Sequence, residues 1–109
     1  IGTGRAMELI MTGDRIDADE AYRLGIVNQI FPPETLYDEV MKRAQALASA
    51  PAAALAAIKR GVTLGSTGSL AETLEFEMTE QRTLFLSDDA REGMRAFIEK
   101  RAPRFAGRS

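Results

Sequence analysis

The residues of this chain that could do acid–base chemistry are its carboxylates, because the sequence contains no histidine, the usual base and metal ligand at neutral pH. Four glutamates that could supply an acid and base pair stand close together, at positions 72, 75, 77 and 80. They fall on one amphipathic segment, mostly outside its apolar stripe, which favours a solvent-facing surface. Serine and threonine side chains have no imidazole partner to activate them as nucleophiles. We therefore predict no catalytic residue within this chain.

The sequence also gives no indication of a metal site. It has no cysteine, which excludes thiolate ligands and disulfides. Asp88 and Asp89 could be taken for metal ligands, but negative charge in the first turn of a helix already explains them. The "GTG" of residues 2–4 lacks the strand and the lysine of a phosphate-binding loop. We predict no metal.

Basic residues collect near the C-terminal end, in "EKRAPRFAGRS", where the acidic residue is Glu99. The cations are Lys100, Arg101, Arg104 and Arg108. Phe97 and Phe105 stand beside them, so the cluster has ammonium and guanidinium groups for phosphates and rings for a base. The alternative is that these cations stabilise a helix C-terminus and keep a chain terminus in solvent.

Charge and hydropathy exclude several classes of partner. A net charge of -2 and a pI near 5.2 lack the basic footprint of a nucleic-acid-binding protein. No apolar run approaches the roughly 20 residues of a membrane-spanning helix, and no secretory signal pattern opens the chain. The absence of cysteine suits a reducing compartment. We predict a cytoplasmic protein without nucleic-acid or membrane partners; its start at Ile1 instead of Met indicates processing or truncation.

The elements that must position these groups are mostly helices. Predicted N-terminal caps are Thr3, Asp17, Ser69 and Ser87, the last three followed by acidic residues in the first turn. Glycines at 13 and 25 are predicted to end the first two helices, and those at 65 and 68 to interrupt a later one. Pro33 and Pro51 open helices, and Pro103 is predicted to stop the last. Residues 26–31, "IVNQIF", predict one short strand because they are rich in β-branched and aromatic residues.

Taken in order, two long stretches resemble the C-terminal part of the crotonase superfamily, and most closely the short-chain enoyl-CoA hydratases. The first is "IGTGRAMELIMTGDRIDADEAYRLGIVNQIFPPETL" at residues 1–36, and the second is "SDDAREGMRAFIEKRAPRFAG" at residues 87–107. The resemblance covers essentially the whole chain. It implies the mainly α C-terminal helical region of a crotonase-like (ClpP/crotonase, α/β spiral) fold.

This resemblance divides the chain into two expected parts. Residues 1–32 would be a connector of helix, helix and strand that leaves a spiral core lying upstream. Residues 33–109 would be the C-terminal helical trimerisation region, with homotrimers or dimers of trimers as the assembly. The strand near residues 26–31 would then pair with upstream sheet, and the alanine-rich helices would pack on the core or on neighbouring subunits.

The resemblance also implies a function for the complete protein. Enoyl-CoA hydratases add water to 2-enoyl-CoA thioesters in fatty-acid or related degradation, and use no cofactor because the substrate itself carries coenzyme A. Their two glutamates and the two backbone N–H groups that hold the thioester oxygen would lie upstream. This chain alone would then be inactive. Isomerisation and other reactions of the superfamily remain open, because their determinants would lie in the same absent region.

What the resemblance carries onto this chain is substrate binding. Lys100 matches the lysine of the "EKR" motif, which in hydratases reaches the phosphates or the adenine end of coenzyme A, and Phe97 is a second candidate one turn earlier. Gln81 stands where some hydratases place an aromatic ring near the adenine. The alternative from another class is a non-catalytic helical interaction or oligomerisation module.

Overall fold

The computed structural model describes residues 1–106, which form six α-helices. The helices are α1 (Thr3–Thr12), α2 (Ala18–Arg23), α3 (Pro33–Ala48), α4 (Ala52–Thr67), α5 (Leu70–Phe85) and α6 (Asp88–Ile98). They fall in two compact units, Ile1–Arg43 and Ala44–Ser109, with the boundary inside α3. The prediction of a mainly α chain is confirmed.

Side-chain caps begin three of the helices as predicted. The Asp17 carboxylate accepts a hydrogen bond of 2.8 Å from the Glu20 backbone N–H at the start of α2. Ser69 and Glu72 form a reciprocal capping box at α5, with each side chain accepting the other residue's backbone N–H. Ser87 caps α6 in the same way. These contacts satisfy N–H groups that have no partner within the helix.

Two other predicted boundaries are wrong. Thr3 lies inside α1, whose N-cap is Gly2 and has no side-chain hydrogen bond. Gly65 does not interrupt α4, which continues to Thr67. A glycine inside a helix costs only about 1 kcal/mol relative to alanine, and packing of α4 on α5 outweighs that cost. In contrast, Gly13 and Gly25 end α1 and α2 with positive φ angles of 69° and 77°, as predicted.

The predicted strand at residues 26–31 is wrong. The backbone N–H of Ile26 bonds to the Ala21 carbonyl oxygen, so the segment begins by closing the end of α2. Further along, the guanidinium of Arg43 lies 5.8 Å from the centre of the Phe31 ring and donates a hydrogen bond to Gln29. A strand needs a second extended segment to share its hydrogen bonds. Residues 1–106 contain no β-ladder, and the local contacts determine the conformation instead.

In the second unit, α5 packs against both α4 and α6. A Cβ added to Gly61 would lie 3.2 Å from the Phe76 ring, and one added to Gly65 would lie 3.7 Å from Thr73. The residue number increases along α4 from the first pair to the second and decreases along α5, so the two helices are antiparallel. The absence of side chains at the two glycines lets the helices approach closely.

Few apolar side chains are buried within these units. The buried apolar residues are Leu24, Ala57 and Ala96, at 8%, 6% and 1% exposure. Large apolar residues remain exposed on the helices, among them Val62 at 70% and Met78 at 71%. No helix among residues 1–106 has both the length and the apolar character needed to cross a membrane.

Candidate functional site

The C-terminal end of α6 carries the two residues predicted to bind substrate, Phe97 and Lys100. Lys100 adopts a left-handed backbone conformation with φ of 52°, alone among the non-glycine residues described. Its backbone N–H bonds to the Phe97 carbonyl oxygen at 3.3 Å, and the Arg101 N–H bonds to the Ala96 carbonyl oxygen at 3.0 Å. This pair of bonds is a Schellman motif, in which glycine usually occupies the left-handed position. Gly25 occupies the equivalent position after α2.

Both predicted residues are accessible. The Phe97 side chain is 86% exposed, and Lys100 is also exposed. Lys100 forms no ion pair with any residue in the described range 1–106. Within residues 1–106, no contact covers the ring of Phe97, and no acidic group pairs with Lys100. No contact in the structure tests whether they bind a ligand, so their role remains a prediction.

Beyond α6 the chain folds back along the helix as residues 99–106, which we name the C-terminal strap. Glu92, whose side chain is 11% exposed, is its main attachment. The Glu92 carboxylate accepts hydrogen bonds of 2.6 and 3.1 Å from the Arg101 guanidinium and of 2.9 Å from the Arg104 backbone N–H. On its other side it accepts a bond of 2.7 Å from Arg95. One carboxylate thus fixes two points of the strap.

This network changes the interpretation of the basic cluster. Arg101 pairs with both Glu92 and Glu99, the second at 2.5 Å, so its charge is used inside the strap. Among the described residues, Lys100 and Arg104 are the cations of the cluster without such a pair. Arg108 lies outside the described residues. Ligand binding by the cluster thus remains a prediction, for which Lys100 and Arg104 are the unpaired candidates among the described residues.

The same contacts lower the pKa of Glu92 well below its ordinary value of 4.5, through hydrogen bonds from Arg101, then Arg95, then the Arg104 backbone N–H. The pKa of Arg101 is raised, chiefly by Glu92. A carboxylate with a lowered pKa in the folded state stabilises that state above its unfolded pKa, and the stabilisation is lost as pH falls towards the folded value.

We therefore expect the free energy of unfolding to decrease as pH falls below about 4.5, and Glu92→Gln to reduce that decrease. Urea denaturation at a series of pH values, followed by circular dichroism, measures the slope of the free energy of unfolding against pH for the parent chain and for Glu92→Gln. Asp88→Asn is the matched control, because Asp88 lies in the same helix with an 80% exposed side chain. A slope for Glu92→Gln equal to that of the parent chain would contradict the expectation.

A second acidic residue of α6 holds the far end of the strap. Asp89 is only 6% exposed, and its carboxylate accepts the Ala106 backbone N–H at 3.1 Å. Its neighbour Asp88 is exposed and pairs with Arg91 at 2.7 Å. Helix-terminal charge accounts for Asp88, as predicted, but Asp89 also binds the strap. The three-residue spacing of Asp89 and Glu92 puts both on one face of α6.

An apolar groove of about 680 Å³ runs along the second unit. Its walls come from α4, α5, the start of α6 and Phe105 of the strap. Gln81 lines it, as do Glu77 and Glu80 at its edge. Lys100 and Phe97 do not line it. The structure therefore does not bring Gln81 together with the two predicted binding residues.

The cluster of glutamates on α5 is divided among separate roles. Glu72 belongs to the capping box, which lowers its pKa through the Ser69 backbone N–H and hydroxyl. Glu80 pairs with Arg60 of α4 at 2.8 Å, and Arg60 also lies 5.9 Å from the centre of the Phe76 ring. No three histidine, cysteine or acidic side chains among residues 1–106 are grouped so as to hold a metal ion. Glu72 thus stabilises the start of α5, and Glu80 stabilises the packing of α5 on α4.

Comparison with known proteins matches this arrangement of helices to one family. The family model for enoyl-CoA hydratase/isomerase matches residues 1–108. The chain is 40% identical over 108 residues to the probable enoyl-CoA hydratase echA8 of Mycobacterium bovis, covering 99% of this chain and 42% of that protein. It is 36% identical over 107 residues to 1,2-epoxyphenylacetyl-CoA isomerase of Escherichia coli, covering 98% and 41%.

Solved structures give the same result. An enoyl-CoA hydratase from Bacillus anthracis superposes with a TM-score of 0.93 at 35% identity, covering 99% of this chain and 42% of that one. An enoyl-CoA hydratase from Mycobacterium tuberculosis superposes with a TM-score of 0.87, also at 35% identity, covering 96% and 42%. The chain spans less than half the length of these relatives. With a family match over almost every residue and the same helical arrangement, this chain belongs to the enoyl-CoA hydratase/isomerase family of the crotonase superfamily.

Proposed function

We propose that this chain is the C-terminal helical part of an enzyme that adds water to 2-enoyl-CoA thioesters. The observation that carries the proposal is the family match over residues 1–108. Hydration is preferred to isomerisation because several of the relatives are named enoyl-CoA hydratases. The complete enzyme would supply two glutamates for the water and its proton, and two backbone N–H groups for the thioester oxygen, from the spiral domain.

In this proposal the chain contributes to substrate binding. Lys100 would bind a phosphate of coenzyme A, and Phe97 would contact the same part of the substrate. The lack of an ion pair for Lys100 within residues 1–106 supports this role. No separate cofactor is needed, since coenzyme A is part of the substrate.

The proposal also gives the exposed apolar residues a role, as contacts with other parts of the enzyme. Val62, Met78 and Ile98 are between 70% and 79% exposed, and burying each against protein would be favourable by about 1.5–3 kcal/mol. We propose that the spiral domain and neighbouring subunits of a homotrimer, or of a dimer of trimers, cover such residues. The alternative of a non-catalytic interaction module would use the same residues without any enzymatic activity.

A chimera tests whether this chain can serve as the C-terminal helical part of a hydratase. The chain would replace the matching 108 residues of echA8 from Mycobacterium tuberculosis, with which it shares 40% identity. We expect the chimera to hydrate crotonyl-CoA, measured as loss of the absorbance of the conjugated thioester, and the isolated chain to give no turnover. The parent echA8 serves as the positive control.

The outcomes separate the candidate functions. A folded, trimeric chimera without hydration of any enoyl-CoA would show that the chain does not serve as the helical part of a hydratase. Hydration and isomerisation are distinguished by the same assay on this chain joined to its own upstream region, because the groups that determine the reaction would lie there. An isolated chain that stays monomeric, with no tendency to associate, would favour the interaction module.

A further inference from the structure

The left-handed backbone of Lys100 is the unusual conformation at this site. A side chain with a Cβ adopts this conformation at a cost, and such residues persist where the surrounding structure enforces them. Glycine would occupy the position more easily, as Gly25 does after α2. Neighbouring contacts must therefore maintain the backbone of Lys100, among them the two bonds that close α6.

Those neighbouring contacts converge on Glu92. The residue that follows Lys100 is Arg101, and its guanidinium is held by Glu92 at 2.6 and 3.1 Å. Three residues later the Arg104 backbone N–H bonds to the same carboxylate at 2.9 Å. The two Schellman bonds therefore hold the Lys100 backbone to the end of α6 on one side. On the other side, Glu92 holds the strap that follows Lys100. Neither Glu92 nor Arg101 is available to a ligand, because each uses its charge on the other.

We propose that Glu92 and Arg101 are positioning residues that hold the Lys100 backbone in the left-handed conformation from which its ammonium group binds a phosphate of coenzyme A. This inference rests on the proposed function of Lys100 as a coenzyme A-binding residue. Glu92 and Arg101 act through the backbone and do not touch the substrate. Without Glu92, the binding-competent conformation of Lys100 becomes a minor one. The apparent affinity for coenzyme A then falls in proportion to the fraction of molecules in that conformation.

The conformational part is tested in the full 109-residue chain. A left-handed φ brings the amide and α protons of residue 100 close together, so a strong nuclear Overhauser effect between them, measured by nuclear magnetic resonance, reports this conformation. We expect the effect to weaken in Glu92→Ala and to stay strong in Glu92→Gln, because glutamine retains an oxygen acceptor for Arg101 and Arg104. Arg95→Ala is the control, since Arg95 contacts Glu92 but not the strap. An unchanged effect in Glu92→Ala would overturn the inference.

The functional part uses the chimera and crotonyl-CoA. We expect Lys100→Ala to raise KM about tenfold, the effect of one charge-assisted hydrogen bond, with kcat unchanged. Glu92→Ala should raise KM roughly three- to tenfold, and Glu92→Gln should restore it to near the parent value. In a Lys100→Gly background, Glu92→Ala should leave KM unchanged, because glycine needs no support and carries no ammonium group.

A double-mutant cycle over these variants isolates the coupling. An equal rise in KM from Glu92→Ala in both backgrounds would show that Glu92 acts independently of Lys100 and would overturn the inference. An unchanged KM for Lys100→Ala would instead remove Lys100 from the binding site and reject that part of the proposed function. A general loss of folding would lower the activity of Glu92→Ala in both backgrounds, so the cycle distinguishes it from positioning.

Discussion

Ala57→Asp is expected to abolish the cooperative unfolding transition of the second unit. Ala57 is the buried residue of α4, at 6% exposure, and lines the groove between α4 and α5. A carboxylate placed there loses its hydration, a change that costs more than about 3 kcal/mol. That cost is large against the net stability of roughly 5–15 kcal/mol typical of a domain. Urea denaturation followed by far-ultraviolet circular dichroism measures the effect.

The adjacent residue provides the control. Ala56 lies in the same helix but is exposed, so Ala56→Asp carries the same loss of helix propensity, below about 1 kcal/mol, without burial of charge. We expect Ala56→Asp to unfold close to the parent midpoint. Equal losses at the two positions would mean that α4 does not pack through the face that contains Ala57.

The second large effect is expected at the strap. Asp89→Ala removes the acceptor of the Ala106 backbone N–H from a position that is 6% exposed. Loss of one partner of a buried hydrogen bond costs about 1–3 kcal/mol. Asp89→Asn keeps the accepting oxygen and should lose only the interaction of its charge with the helix dipole, about 0.3–1 kcal/mol. Urea denaturation measures the free energy of unfolding of both variants, and we expect the larger loss for Asp89→Ala.

Limited proteolysis gives a second measurement of the same prediction. Trypsin cleaves after arginine, and Arg104 lies within the strap, with its backbone N–H held by Glu92. Asp89→Ala should be cut there faster than the parent chain. Asp88→Ala, in the same helical turn but exposed and paired only with Arg91, should be cut at the parent rate. A parent-like rate for Asp89→Ala would show that Asp89 does not hold the strap.

The parts of the fold that the sequence predicted are those determined by neighbouring residues. Asp17, Ser69 and Ser87 cap helices through bonds to N–H groups three residues away, and Gly13 and Gly25 end helices by local backbone conformation. Each depends on a few consecutive residues, so residue type and spacing suffice. Two of the wrong predictions, a strand at residues 26–31 and an interruption at Gly65, depend on what lies beside the segment in space. The wrong cap at Thr3 is a local error, because α1 begins one residue earlier than predicted, with Gly2 as its cap.

The site was predictable to a similar extent. Family motifs single out Phe97 and Lys100, and the structure places Phe97 in the last turn of α6 and Lys100 two residues beyond its end. Nothing in the residue type indicates that Lys100 has positive φ, because lysine rarely adopts it. The end of α6 was assigned to Pro103, but the helix ends at Ile98 and its Schellman motif closes at Lys100. The pairing of Glu92 with Arg101 needs the chain to turn back, which spacing alone does not reveal.

The strap is attached to α6 partly through main-chain amides, those of residues 104 and 106, and this determines which substitutions it tolerates. Any amino acid with an amide hydrogen can replace Arg104 or Ala106 and still donate the main-chain hydrogen bond to the helix. Substitutions that change only the side chain there therefore leave the attachment intact. Proline is the exception, because it has no amide hydrogen. Pro103 stands one residue before the first bonded amide, where the missing hydrogen costs no bond to the helix. A proline one position later would remove the main-chain bond to Glu92 and leave the strap attached to that carboxylate through the Arg101 side chain alone.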